Sequence, residues 1–142
     1  MVNVEWKGQM AFEANPPSGN RFVMDAYPEA GGANRGPTPL EALLSSIAAC
    51  SAMDVISILE KKKQVVTSYR VEVDGERSAP EGAYPRPYTS ITVRHIVAGD
   101  NLDPAAVERA VQLSDEKYCT VVSTLRAAPE VKSVWEIASP VS

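Results

Sequence analysis

Histidine is nearly absent from this chain, with one copy at His95, and cysteine occurs only at Cys50 and Cys119. Two thiols far apart in sequence match no zinc-binding spacing, and a lone imidazole has no evident co-ligands. No metal and no other cofactor is expected. Positive charge is also in short supply: 14 Lys and Arg against 18 Asp and Glu leave a formal net charge of -4. The basic residues are scattered rather than striped, so there is no field to condense on phosphates, and nucleic acid is excluded as an expected partner. Long uninterrupted apolar runs are missing too. The most apolar stretch, Leu40 to Leu59, carries Glu41, Asp54 and the serines 45, 46, 51 and 57, which would be costly against lipid. A buried helix, not a membrane span, is the expectation. The start MVNVEWKGQM lacks the basic, apolar and small-residue regions of a signal peptide, so a cytoplasmic location with reduced thiols is expected.

What is present fits one globular domain over residues 1–142. Hydrophobic residues make up 44% and charged residues 23%, and a domain of this length buries roughly two-thirds of the surface its unfolded chain exposes. Val2, Val4, Trp6, Met10, Phe12, Phe22 and Met24 fall in short alternating runs around the turn cluster Asn15-Pro16-Pro17-Ser18-Gly19-Asn20, which predicts an antiparallel meander. The Gly- and Pro-rich stretch 26–37 is a loop. Thr38-Pro39-Leu40-Glu41 combines a cap, a first-turn proline and a capping-box glutamate, predicting a helix from Pro39 to about Lys62. Its apolar residues occupy more than one face, so burial nearly all round is expected. The small residues around Ala48, Ala49, Ser51 and Ala52 would let a second copy of the helix approach closely.

Tyr69, Val71 and Val73 alternate with polar residues, and Tyr88 to Ala98 places Ile91, Val93, His95 and Val97 on one side; both read as strands. Asp103-Pro104 starts a second helix. Ser114-Asp115-Glu116 resembles a cap for a third, placing Cys119 in an early turn. Val131, Ser133, Trp135 and Ile137 alternate as a last strand. The order is α+β, without βαβ repeats. Trp6, Phe12, Phe22, Tyr69 and Trp135 are core candidates by periodicity, and His95 reads as a hydrogen-bonded core histidine.

A thiol does chemistry when it is partly ionised and reachable. The residues alone leave two readings of Cys50 open: a small space-filler in a buried helix, or a nucleophile. The segments Gly36-Pro37-Thr38-Pro39-Leu40-Glu41-Ala42-Leu43-Leu44 and Ala48-Ala49-Cys50-Ser51, followed by Glu116-Lys117-Tyr118-Cys119-Thr120-Val121, resemble the two cysteine motifs of the OsmC/Ohr family. Residues 50–59 are most similar to its YhfA-type branch. The resemblance spans nearly the whole chain and implies an OsmC-like fold, with antiparallel sheets wrapped around a long central helix in an intertwined homodimer. It implies a thiol-dependent peroxidase in which Cys50 attacks a small organic hydroperoxide, Cys119 resolves the sulfenic acid, and an external dithiol reduces the disulfide.

The family's peroxidases also hold the thiolate with an Arg and a Glu. The position of that Glu is Leu40 here; Glu41 is about 100° further around the helix. Arg21 and Arg35 are the candidates for the Arg. Asp54 lies on the same helical face as Cys50, where a carboxylate disfavours a thiolate unless a cation intervenes. Two other readings therefore stand beside the peroxidase. One is a weakly active or non-catalytic dimer binding a small apolar ligand, and the other is a hot-dog-like acyl-thioester enzyme, for which no catalytic acid is evident.

Overall fold

A computed structural model describes residues 1–139. The proline-rich turn cluster folds the N-terminus back on itself, and the antiparallel sheet β1 (Asn3–Trp6), β2 (Phe12–Asn15), β3 (Phe22–Met24) results. Val4 faces Ala14, Trp6 faces Phe12, and Phe22 and Met24 face Ala14 and Phe12. Directly paired residues share a face, so this sheet has one wholly apolar side. Its strands contact chiefly one another, however, and Trp6 remains 66% and Phe22 45% exposed. The expectation that Trp6, Phe12 and Phe22 are core residues is therefore corrected: within one chain nothing covers the face that periodicity marks. Loop 26–37 is held by the buried Asp25 carboxylate, which accepts the backbone N–H groups of Ala26, Ala33 and Arg35. Those bonds keep its carboxyl below the ordinary range.

Helix α1 (Pro39–Lys61) starts as predicted. Thr38 Oγ1 accepts from the Glu41 N–H at 3.2 Å, and Glu41 Oε1 accepts from the Thr38 N–H at 2.8 Å. Its buried residues are Ile47, Ser51, Val55 and Leu59, a single stripe at four-residue spacing. Burial nearly all round is thus corrected as well, since Ser45, Ser46, Ala49 and Met53 face outward. Among the described residues α1 alone meets the requirements of a membrane span by length and apolarity, yet its stripe is committed to the protein core: Val55 and Leu59 meet Ala110, Val107, Tyr69 and Val97. Leu59 is fully buried. Leu59→Ala should cost about 2–5 kcal/mol in urea unfolding.

β4 (Val65–Arg77) and β5 (Tyr88–Asp100) form a long hairpin with a bulge between Val66 and Ser68. Tyr69 pairs with Val97, Val71 with His95 and Val73 with Val93, so the predicted apolar sides coincide and pack on α1. Gly75 is obligatory in this ladder, because a Cβ there would strike the Ser90 carbonyl and the Tyr88 ring. Asp103 caps α2 (Pro104–Leu113). The predicted third helix start is displaced: Ser114–Tyr118 continue α2 as one π turn, and Cys119 precedes α3 (Thr120–Ala127). The predicted last strand does not form among the described residues. Trp135 and Ile137 are over four-fifths exposed and pair with no strand among the described residues, and a strand needs such a neighbour.

Candidate active site

The two cysteines belong to different helices that the fold brings together. Cys50 projects from the middle of α1 and is partly exposed; Cys119 sits at the entry to α3 and is 2% exposed. Both are free, and the π turn and α3 that flank Cys119 pack on α1, the helix of Cys50. Burial pushes the Cys119 thiol up from the ordinary range, and the adjoining Cys50 thiol and Asp54 carboxylate push the same way. The Val122 backbone N–H, in the first turn of α3, pulls against them. The pair is therefore asymmetric: one sulfur is accessible, and the other is buried and held protonated.

A partly buried chain of polar groups joins β4 and β5 to α1 and the π turn. Tyr69 Oη is 2.6 Å from His95 Nδ1, His95 Nε2 is 3.3 Å from Ser51 Oγ, and Ser51 Oγ is 3.1 Å from Ser114 Oγ. Ser114 Oγ then donates to Asp54 Oδ2 at 3.1 Å. Each hydroxyl has one proton, and a carboxylate only accepts, so the chain has one direction. Ser114 donates to Asp54, Ser51 to Ser114, His95 Nε2–H to Ser51, and Tyr69 to Nδ1. Burial pushes the Tyr69 hydroxyl up to about 12, which keeps it a donor.

Burial lowers the His95 pKa from 6.5, more than the Asp115 charge raises it. The unfolded chain then binds a proton that the folded chain resists. This contribution to stability is complete above 6.5 and falls as pH drops from there through the folded value. Urea midpoints should therefore decrease from pH 7.5 toward about pH 5 in the parent, and His95→Gln should flatten that part of the profile.

A cavity of about 620 Å³ opens beside this chain. Its walls include Ile47, Ile91, Val93, Val111, Val122 and Leu125, with Ser51 and His95 supplying polar contacts. Its lining includes Ser51, the residue after Cys50 in α1, and Val122 in the first turn of α3. At its mouth Arg126 is tied to Asp115 at 2.9 Å.

The other residues singled out from the sequence have partners elsewhere. Glu41 completes the cap of α1 and accepts from Tyr27 Oη at 2.7 Å. The Thr38 backbone and the Tyr27 hydroxyl hold its carboxyl below the usual range. Arg35 reaches Asp25 and Gln9, and Arg21 lies 3.8 Å from Glu13. Asp54 meets the Ser114 hydroxyl. Ser51, Ser114 and Tyr69 were not legible as site residues. The available signal was a run of hydroxyls on faces that periodicity marks as buried, where polar groups require partners.

Comparison with known proteins agrees with this architecture. The OsmC-like protein family matches residues 31–134. Protein YhfA of Escherichia coli K12 is 36% identical over 138 residues, covering 97% of this chain and 98% of that protein. A hypothetical protein from Aquifex aeolicus superposes with a TM-score of 0.75 at 30% identity, over 97% of this chain and 95% of the other. An organic hydroperoxide resistance protein from Legionella pneumophila shares the fold with a TM-score of 0.61 at 15% identity, over 89% of each chain. The chain is thus a member of the OsmC-like family.

Proposed function

We propose that this protein is a thiol-dependent peroxidase acting on organic hydroperoxides. The observation that carries the reading is the packing of the segment around a buried Cys119 against the helix that carries a partly exposed Cys50. The Cys50 thiolate attacks the terminal oxygen of the hydroperoxide, the O–O bond breaks, and the alkoxide leaves as an alcohol after taking a proton. Cys50 is now a sulfenic acid. The Cys119 sulfur displaces water from it and forms the disulfide, which an external dithiol returns to two thiols with two electrons and two protons. The resistance to organic hydroperoxides named for the Legionella relative supports the substrate class. The apolar wall of the cavity is the site for the organic group.

The functional unit in this reading is a homodimer in the cytoplasm. The outward face of α1 and the apolar side of the meander are the surfaces a second copy would cover. A second reading, a dimer that binds a small apolar ligand with little turnover, is favoured by Leu40 at the family's Glu position and by Asp54 beside the thiols. Turnover separates the two. With excess dithiothreitol and an organic hydroperoxide, the peroxidase consumes many equivalents of peroxide per chain; loss no faster than with a comparable free thiol leaves only the binding reading.

A further inference from the structure

The chemistry above uses two sulfurs but not the buried hydroxyl that joins the elements carrying them. Ser114 is 0% exposed and opens the π turn between α2 and Cys119. Its carbonyl accepts the Cys119 N–H at 2.9 Å. In an α-helix that carbonyl would take the N–H of residue 118; the wider turn assigns it to Cys119 instead. Its hydroxyl lies 3.1 Å from Asp54 Oδ2 and from Ser51 Oγ, and 3.4 Å from the Ser51 carbonyl oxygen. Ser51 directly follows Cys50, and Asp54 is one helical turn beyond it. One residue thus grips the backbone of the second cysteine with its carbonyl and the helix of the first with its side chain.

We propose that Ser114 is the positioning residue of the thiol pair, setting how closely and at what angle the two sulfurs meet. This rests on reading Cys50 and Cys119 as a redox pair. A disulfide forms only within a narrow range of Cα separation and torsion, so an element that holds the π turn against α1 raises the effective concentration of one thiol at the other. The relay from Tyr69 through His95 and Ser51 supplies the donors that leave the Ser114 hydroxyl proton free for Asp54. The bond to Asp54 ends on a carboxylate, which only accepts, and so fixes the direction of the Ser114 hydroxyl.

The test is the equilibrium of the protein disulfide with dithiothreitol, in which the reductant gives two electrons and two protons and is itself oxidised to its cyclic disulfide. No hydroperoxide is present, so the result does not depend on peroxidase activity. Ser114→Ala should shift the equilibrium about tenfold toward the dithiol, the loss expected for one charge-assisted hydrogen bond. Ser114→Thr, which keeps the hydroxyl, should recover most of it. Should Ser114→Ala fail to fold, Asp54→Asn and Asp54→Leu give the same reading. Both remove the charge, but only Asn accepts from Ser114, so the Leu variant should hold its disulfide about tenfold less well than the Asn variant. Equal equilibria in parent and Ser114→Ala, or in the two Asp54 variants, overturn the positioning role alone. A parent that forms no bond between Cys50 and Cys119 overturns both this role and the redox pair, and absent peroxide turnover with a normal equilibrium overturns only the peroxidase.

Discussion

Cys50→Ser should lower hydroperoxide consumption by at least about a thousandfold, to the uncatalysed rate, while Cys119→Ser should still react once and stop. The difference follows from the environments of the two sulfurs. An oxygen nucleophile at position 50 is neither ionised nor soft enough to attack a peroxide at neutral pH, and the remaining thiol is buried and held protonated by burial and by Asp54. In Cys119→Ser the accessible thiol remains, so one equivalent of hydroperoxide converts it to a sulfenic acid with no partner to condense with. Stopped-flow peroxide loss combined with dimedone trapping reads both. A Cys50→Ser protein that retained half the parent rate would transfer the attack to Cys119 and reverse the assignment.

Trp6→Asp combined with Phe22→Asp should halve the sedimenting mass or leave the protein insoluble. Both side chains lie on the apolar side of the meander and are largely exposed within one chain. Burying each aromatic against a second copy contributes about 1.5–3 kcal/mol. A symmetric dimer counts each position twice, so the double variant loses on the order of 6 kcal/mol or more, before the cost of burying carboxylates. That is enough to turn a nanomolar association into one weaker than about ten micromolar. Substituting the polar side, as in Glu5→Gln, should leave the mass unchanged. A parent that already sediments as a monomer, with Trp6 fluorescence typical of full exposure, would contradict the assembly.

Most of the secondary structure was written in local chemistry. The Thr38-Pro39-Glu41 start of α1, the Asp103 cap of α2 and the alternation in β4 and β5 each act within a few residues, and the structure shows them where the pattern placed them. Periodicity also marked the apolar side of the meander correctly. It does not say whether a marked side is covered, so Trp6, Phe12, Phe22 and Trp135, expected in a core, stand open in a single chain. The π turn had no signature, because one more residue in a helical turn changes no composition, and Ser114 was mistaken for a cap. The polar relay was hidden for a different reason. Its bonds join residues 44 and 63 positions apart, and only the packing of α1 against β5 and the π turn brings those hydroxyls together.

The central claim is that Cys50 and Cys119 of the same chain form the reactive pair. The most direct measurement is peptide mapping without reduction, after the reduced protein has met one equivalent of an organic hydroperoxide. A single cross-linked species joining the peptides of residues 50 and 119, with the loss of two hydrogens from a chain that stays one chain on denaturing electrophoresis, is the predicted result. Cys50 recovered as an uncrosslinked thiol, or bridged only to another chain, would contradict it.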